Sequence, residues 1–483
     1  MNTPSRNAML LLCPSVNIEL ATFANMSEKT SLTIAAPATP LGISALAVIR
    51  VSGSEVCNVV SALFARTWES LPMRGMVHAQ AKDPETFELI DDLLFCVFPG
   101  PHSFTGEDVL EIFPHGNPLL VRRLLEVICK LPYVRLAEPG EFTRRAFEAG
   151  KVDLVQAEAI GQLLHATVDS SLRNAQKLLQ GHLSTHITTL TNSVTHLSAL
   201  LELDVDFAEE EADADIQNWS GQLCVIEQQL QKLAQNFRSA AAENRTPSIV
   251  FYGAPNAGKS SLVNALLRDD RLLVSPKAGT TRDVVEVLLL LKGGEVRLVD
   301  TAGLSATPID ELDAASQVKA LERIGRADIS LCLIDSSQPL DGLAQQSILN
   351  AKQQGHWIVY TKIDIGAEVS GMLCVSSVSD TLSVSSHTGA GLDVLMQRMS
   401  DALFSEPASQ EEFWISSERQ QGQIKLAIEG VQRARNLLAQ GRNAPEELAF
   451  EMRFVRDHLV GITGQISTDE ILDTIFQKFC IGK

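Results

Sequence analysis

Apolar and polar positions divide the chain into blocks of different period. From residue 31 to about 148, short apolar runs alternate with turns. LAVIRVSG, ending in Gly53, DDLLFCVFP and DVLEIFPHGN read as strands, while LVRRLLEVICKL has helical spacing of apolar residues. This predicts an α+β domain over 31–148. From 149 to 247 apolar residues recur at i, i+3, i+4 and i+7 over many turns, so helices are predicted, with AEEEADAD as a solvated acidic break. From 248 to 405 strands and helices alternate, the pattern of a doubly wound α/β sheet. Residues 406–483 are helical again. An α/β block between two helical ones predicts an insertion, with the helical parts packing as one discontinuous domain. Residues 1–30 lack such periodicity. AMLLLCPSV is short and lacks a charged flank and a cleavage site, so either a start placed too early, with Met26 beginning the natural chain, or a disordered extension is expected in preference to an organelle transit peptide.

At roughly 100–200 residues per domain, 483 residues suggest about three domains. A net charge of −19 excludes a general basic coat for nucleic acid but leaves room for a local basic face toward RNA. DNA binding is not expected. The eight cysteines (Cys13, Cys57, Cys96, Cys129, Cys224, Cys332, Cys374 and Cys480) form no CxxC pair, so neither a zinc site nor a disulfide framework is predicted. A reducing cytoplasm is the simpler setting. No apolar run approaches the ~18 residues of a membrane span.

The chemistry begins at GAPNAGKSSL, Gly253 to Leu262, between the apolar strand SIVFY and the helical VNALL. It fits G-x-x-x-x-G-K-[ST]. The glycines let successive N–H groups face phosphate oxygens, Lys259 reaches the β- and γ-phosphates, and Ser260 can ligate Mg²⁺. AGTTRD follows, with a threonine placed to complete the Mg²⁺ shell. A hairpin, VVEVLLLLKGGEVRLV, is predicted to turn at Gly293-Gly294 and to deliver DTAG, where Asp300 faces the Mg²⁺ and Gly303 the γ-phosphate. HWIVYTKID ends in Asp364, which can take the two N–H groups of guanine; adenine offers no such pair, so GTP is expected over ATP. SVSSHTGAGL supplies a loop over the guanine O6. The predicted nucleotide set from these motifs is Asn256, Ala257, Gly258, Lys259, Ser260 and Ser261; Ala278, Gly279, Thr280 and Thr281; Asp300, Thr301, Ala302 and Gly303; Thr361, Lys362, Ile363 and Asp364; and Ser385 with Ser386.

These motifs, with TIAAPATP, IRVSG, SFTGEDVLEI, AEPGEFTRRAFEAGKVDLVQAEAI and the terminal FCIGK, resemble the MnmE (TrmE) family of tRNA-modification GTPases from about residue 32 to the end. The resemblance implies an N-terminal tetrahydrofolate-binding and dimerisation domain, a discontinuous helical domain and an inserted Ras-like P-loop GTPase domain. It implies a homodimer that works with an MnmG-like flavoprotein in a heterotetramer. The pair would add an aminomethyl-type group to C5 of the tRNA wobble uridine, using the carbon of a 5,10-methylene or 5-formyl tetrahydrofolate. Folate contacts are implied at Arg50, Glu111, Lys151 and Lys483; without the family context, Arg50 and Lys151 read more simply as solvated charges.

The resemblance also implies K⁺-stimulated hydrolysis without an arginine finger. The K⁺ would sit on the side chain of Asn256 and on carbonyls of Ser275, Lys277 and Thr280; otherwise Asn256 is a turn former. Ser260 and Thr281 would hold Mg²⁺. Asp313 falls where the family has a water-orienting glutamate, with Glu311 two residues earlier as the alternative. Cys480 is implied as catalytic, although its apolar flank (Phe476, Phe479, Ile481) also suits a small buried hydrophobe.

Some residues depart from the family pattern. Thr361 replaces the asparagine of N-K-x-D and predicts weaker nucleotide binding. Ser386-His387 stands where Ala-Lys is common, Ala254 where Arg is common, and ATPLGISALA where the family has a glycine-rich turn. Two other functions stay open: a folate-dependent scaffold with an impaired GTPase, and a general regulatory or ribosome-assembly GTPase. The terminal CIGK and the N-terminal half argue against the second.

Overall fold

The computed structural model describes residues 32–206, 216–239, 245–269, 286–300, 321–340, 342–365, 381–404, 413–440, 445–466 and 469–483. By contacts the chain forms two compact units: one of 1–161, 179–230 and 422–483, the other of 162–178 and 231–421. The predicted helical stretch 149–247 is thus divided between them.

The first unit holds strands β1 (Thr33–Pro37), β2 (Ser44–Leu46), β3 (Ile49–Ser52), β4 (Val77–Lys82), β5 (Leu89–Phe98), β6 (Val109–Phe113), β7 (His115–Gly116) and β8 (Val134–Leu136). Six of them form one sheet in the order β4-β5-β6-β3-β1-β8; β2 and β7 pair separately. LAVIRVSG, expected as one strand, keeps a strand only over Ile49–Ser52, after β2 ends at Leu46. Helices α1 (Val56–Phe64) and α2 (Pro118–Cys129) bury Val59, Leu63, Leu124 and Ile128 with Phe95 and Ile112 of the sheet. Helix α2 starts where it does because Asn117 accepts from the N–H groups of Leu119 and Leu120, and Pro118 needs no partner in the first turn.

Helices α3 (Glu141–Glu148), α4 (Leu154–His165), α5 (Asp169–Leu179), α6 (His182–Asp206) and α7 (Ile216–Gln235) follow. In α6, Leu183, Ile187, Leu190, Val194, Leu197 and Leu201 are buried at alternating spacings of four and three. That stripe packs along the C-terminal helix Pro445–Thr463, whose Leu448, Met452, Val455, Leu459 and Ile462 repeat the same spacing. Matched stripes of this kind form a coiled-coil seam, each buried Leu contributing roughly 1.5–3 kcal/mol.

The second unit is built on β9 (Ser248–Gly253), β10 (Glu286–Leu291), β11 (Gly294–Asp300), β12 (Ile329–Asp335), β13 (Trp357–Thr361) and β14 (Thr381–Ser383), in the order β10-β11-β9-β12-β13-β14. Only β10 pairs antiparallel. Six of the seven residues of β12, ISLCLID, are buried, as expected of a parallel strand covered on both faces. Strand order reverses at β9, so ligands belong at the carboxyl ends of β9, β11, β12 and β13.

One predicted turn needs correction. Leu291 pairs with Gly294, so the hairpin turns at Lys292-Gly293, one residue earlier than expected. Gly293, at φ +112°, takes the left-handed position, and Gly294 is the first residue of β11.

Candidate functional site

At the carboxyl end of β9 the chain turns through Gly253 (φ +147°), Asn256 (φ +65°) and Gly258 (φ +88°) into α8 (Lys259–Asp269). A Cβ on Gly253 would lie 2.5 Å from the Leu333 carbonyl oxygen, so the close approach of β12 requires glycine there. Lys259 is buried and donates to the carbonyls of Gly253 (3.2 Å) and Ala254 (2.9 Å), which folds its ammonium over the loop. Burial pulls its pKa below the ordinary value, against the opposing charge of Asp300. Ser260 donates to Asp300 Oδ2 at 2.7 Å across the β9–β11 seam. The other oxygen, Asp300 Oδ1, is buried and has no hydrogen-bond partner among the described residues. A buried carboxylate oxygen without a donor is costly unless it faces a cation.

On the other side of β9, Thr361 is 1% exposed. Its Oγ1 lies 2.8 Å from the Ala257 carbonyl and 3.2 Å from that of Ile334. A hydroxyl has one proton, so it serves one of them at a time, and the shorter distance favours the phosphate loop. Thr361, expected to weaken nucleotide binding where the family has asparagine, thus still ties the end of β13 to the phosphate loop. Thr361→Val should leave the Ala257 carbonyl unpaired at a cost of about 1–3 kcal/mol and weaken GDP binding roughly tenfold, as read by displacement of a fluorescent nucleotide. Unchanged affinity would mean the tie is idle.

Lys362 (φ +60°) pairs with Asp335 Oδ2 at 2.6 Å. Burial alone would raise the Asp335 carboxyl, but hydrogen bonds from Lys362 and Ser337 outweigh it and hold the pKa down. Asp335 was missed in the sequence, although its place at the carboxyl end of β12 was a usable signal. Asp364 is oriented by Ser385, whose buried hydroxyl donates to Asp364 Oδ1 at 2.6 Å and accepts from the N–H groups of His387 (3.2 Å) and Thr388 (3.1 Å). The Ser385 bond is the main reason the Asp364 pKa is lowered. Ile363 and Ser386 flank this pocket half-buried, and Ser261 is exposed in the first turn of α8. Asn256 is exposed, and among the described residues nothing bonds its carboxamide. Ser275, Lys277, Ala278, Gly279, Thr280, Thr281, Thr301, Ala302, Gly303, Glu311 and Asp313 lie outside the described residues.

The folate candidates are in the first unit. Arg50 and Glu111 face each other across β3 and β6, with Nε and Nη2 of Arg50 both on Glu111 Oε1 (2.9 and 2.8 Å). The third guanidinium nitrogen, Nη1, donates to the Gly482 carbonyl at 3.2 Å. The terminal CIGK is thereby docked beside the pair, and the Lys483 N–H closes a turn onto the Cys480 carbonyl (3.3 Å). Lys151 is not brought into this group by any hydrogen bond or ion pair among the described residues; its stem passes Gly106. Cys480 is exposed, which overturns its reading as a buried hydrophobe. Cys57, Cys96, Cys129, Cys224 and Cys332 are likewise free thiols.

A phosphate loop on a central strand of a mostly parallel sheet, with Ser260 and Asp300 hydrogen-bonded beside it, defines a P-loop nucleotide-binding domain. The model of the MnmE helical domain matches residues 154–480, and that of the GTP-binding protein TrmE N-terminus matches residues 33–151. The chain is 34% identical to the tRNA modification GTPase MnmE of Chlorobium phaeovibrioides, over 93% of this chain and 97% of that one. It is 36% identical to that of Bordetella petrii, over 95% and 100%. For Aquifex aeolicus the identity is 34%, over 93% and 99%. Aquifex aeolicus Era is similar to a part only, 24% identical over 38% of this chain and 67% of that one, at a TM-score of 0.28. The chain belongs to the MnmE family of tRNA modification GTPases.

Proposed function

We propose that this chain hydrolyses GTP with Mg²⁺ and K⁺, and that it works as a cytoplasmic homodimer with an MnmG-type flavoprotein on tRNA. In this reading the carbon added at C5 of the wobble uridine comes from a methylene-tetrahydrofolate. The observation that carries the GTPase part is the buried Asp300 Oδ1 beside Ser260, which no group among the described residues bonds. The donor set is two oxygens at the carboxyl ends of β11 and β9, hard ligands that suit Mg²⁺. Ser260 and Asp300 would hold it, with Thr281, and the ion would offset phosphate charge. Lys259, released from the carbonyls of Gly253 and Ala254, neutralises the β- and γ-phosphates. Asp364 and the Thr361 loop hold the base. Asp313, or Glu311 in its place, orients the attacking water.

The unengaged carboxamide of Asn256 supports the K⁺ reading. A cation there supplies charge that a guanidinium supplies elsewhere. Folate fits the Arg50–Glu111 pair: among the described residues no group bonds Glu111 Oε2, which leaves an acceptor for a pterin edge, and the terminal Lys483 offers a cation to a glutamate tail. Lys151 would join from the Gly106 loop, and Cys480, exposed beside them, is the candidate nucleophile or proton donor. The Thr361 tie to Ala257 favours an active GTPase over a folate scaffold with an impaired one.

GTP turnover by the full chain in KCl against NaCl at equal ionic strength tests the reading. Strong stimulation by K⁺ is expected, and Asn256→Ala should reduce turnover in KCl to the NaCl level. Equal, slow hydrolysis in both salts would favour the scaffold.

A further inference from the structure

The corrected turn leaves Gly294 without a turn to make. It opens β11, and its role is elsewhere. Residue Val168 forms an antiparallel bridge with Gly294. On either side of it the Asp169 N–H donates to the Gly293 carbonyl and the Glu295 N–H to the Thr167 carbonyl, both at 2.8 Å. A Cβ on Gly294 would lie 2.8 Å from Thr167 O and 2.9 Å from Val168 Cα. The glycine is there so that another backbone can lie against it. Residues 167–169 therefore act as a short strap across the turn end of the β10–β11 hairpin, where Ser400 also donates to the Lys292 carbonyl from another element, the helix Leu392–Phe404. All three belong to the same unit as the hairpin.

The strap holds the strand that carries Asp300. Strand β11 runs from Gly294, at the strap, to Asp300, beside Ser260 Oγ. It is in register with β9 from Arg297–Ser248 to Asp300–Phe251 and with β10 from Gly294–Leu291 to Val299–Glu286. A strand transmits axial displacement along its length, and slippage by two residues preserves which face each side chain occupies, so burial alone guards poorly against it. The backbone bonds at 167–169 resist such slippage at the end remote from the nucleotide.

We propose that Thr167–Asp169 is a positioning element for the nucleotide site: by fixing the hairpin axially it sets the place of Asp300 against Ser260, and so the affinity for Mg²⁺. This rests on the Mg²⁺ reading of Asp300 given above. Asp169 is the first residue of α5, where proline is tolerated, and Val168 before it is already extended. Asp169→Pro thus deletes the bond to Gly293 without breaking the helix. Gly294→Val places a branched side chain where Val168 now lies.

The experiment has two readouts on the full-length chain. Hydrogen exchange at the Glu295 amide, without nucleotide or metal, reports the strap itself. The affinity for GDP is then measured in EDTA and across a Mg²⁺ titration. Both variants should speed Glu295 exchange, leave GDP affinity in EDTA unchanged, and raise the Mg²⁺ concentration needed for half its effect by about tenfold, the loss typical of removing a support behind a metal ligand. An unchanged Mg²⁺ requirement with Glu295 exchange accelerated would overturn the proposal, and so would a Glu295 amide still protected in Gly294→Val. Wild-type protein whose GDP affinity ignores Mg²⁺ would instead overturn the Mg²⁺ reading.

Discussion

Asp364→Asn should lower GDP affinity roughly 10²–10⁴-fold, because two hydrogen bonds to a charged acceptor are lost. Its amide offers one acceptor and one donor where guanine presents two donors. Xanthine carries an oxygen at the 2-position, so the variant should bind XDP better than GDP. The wild-type carboxylate is held by the Ser385 hydroxyl, and that bond gives a second, pH-resolved test. The folded pKa of Asp364 lies below that of a free aspartate. Base recognition is therefore complete above the ordinary aspartate pKa and disappears only as pH falls through the depressed value. In Ser385→Ala that loss should move to higher pH. Calorimetric titration of GDP and XDP across pH measures both effects. A variant that keeps wild-type preference for GDP would place base reading on another residue.

What the sequence made legible follows from how local each signal is. The phosphate loop, the strand before it and the helix after it sit within some twenty residues, and each departs from chance in a way that φ and sterics enforce; all appear as expected. The hairpin turn was misplaced by one residue because two adjacent glycines satisfy the same local rule. Only the contact of Gly294 with residues 167–168, more than a hundred positions away in the chain, tells them apart. Strand β4, VHAQAK, drew no notice because small alanines on its buried face make a faint alternation. Asp335 was missed since its partner, Lys362, comes from the next strand. The meeting of Arg50 with the terminal Gly482 spans almost the whole chain, and no periodicity encodes it. Thr361 reads as a loss when set beside asparagine; its geometry shows a shorter side chain still reaching the Ala257 carbonyl from a buried site.

Gly482→Val should separate the two chemistries. Gly482 has φ +93°, and a Cβ there would lie 2.1 Å from the Pro37 carbonyl oxygen and 3.0 Å from its carbon. The backbone conformation alone costs a branched residue about 1–3 kcal/mol, and the clash with main-chain atoms has no flexible side chain to absorb it. A terminal turn has a cheaper escape than unfolding: it detaches. Detachment removes the Gly482 carbonyl from Arg50 Nη1 and carries Cys480 and Lys483 away from the Arg50–Glu111 pair. Binding of 5-formyl-tetrahydrofolate should then weaken by tenfold or more, from one lost contact to a charged group at about 1.5–3 kcal/mol. Uridine modification in vitro with the proposed flavoprotein partner should fall with it. GTP turnover should be unchanged, because the residues that hold the nucleotide belong to the other unit. Gly482→Ala, with the same forbidden φ and less bulk, should lie between. If Gly482→Val binds the folate as tightly as wild type, the docked tail forms no part of that site.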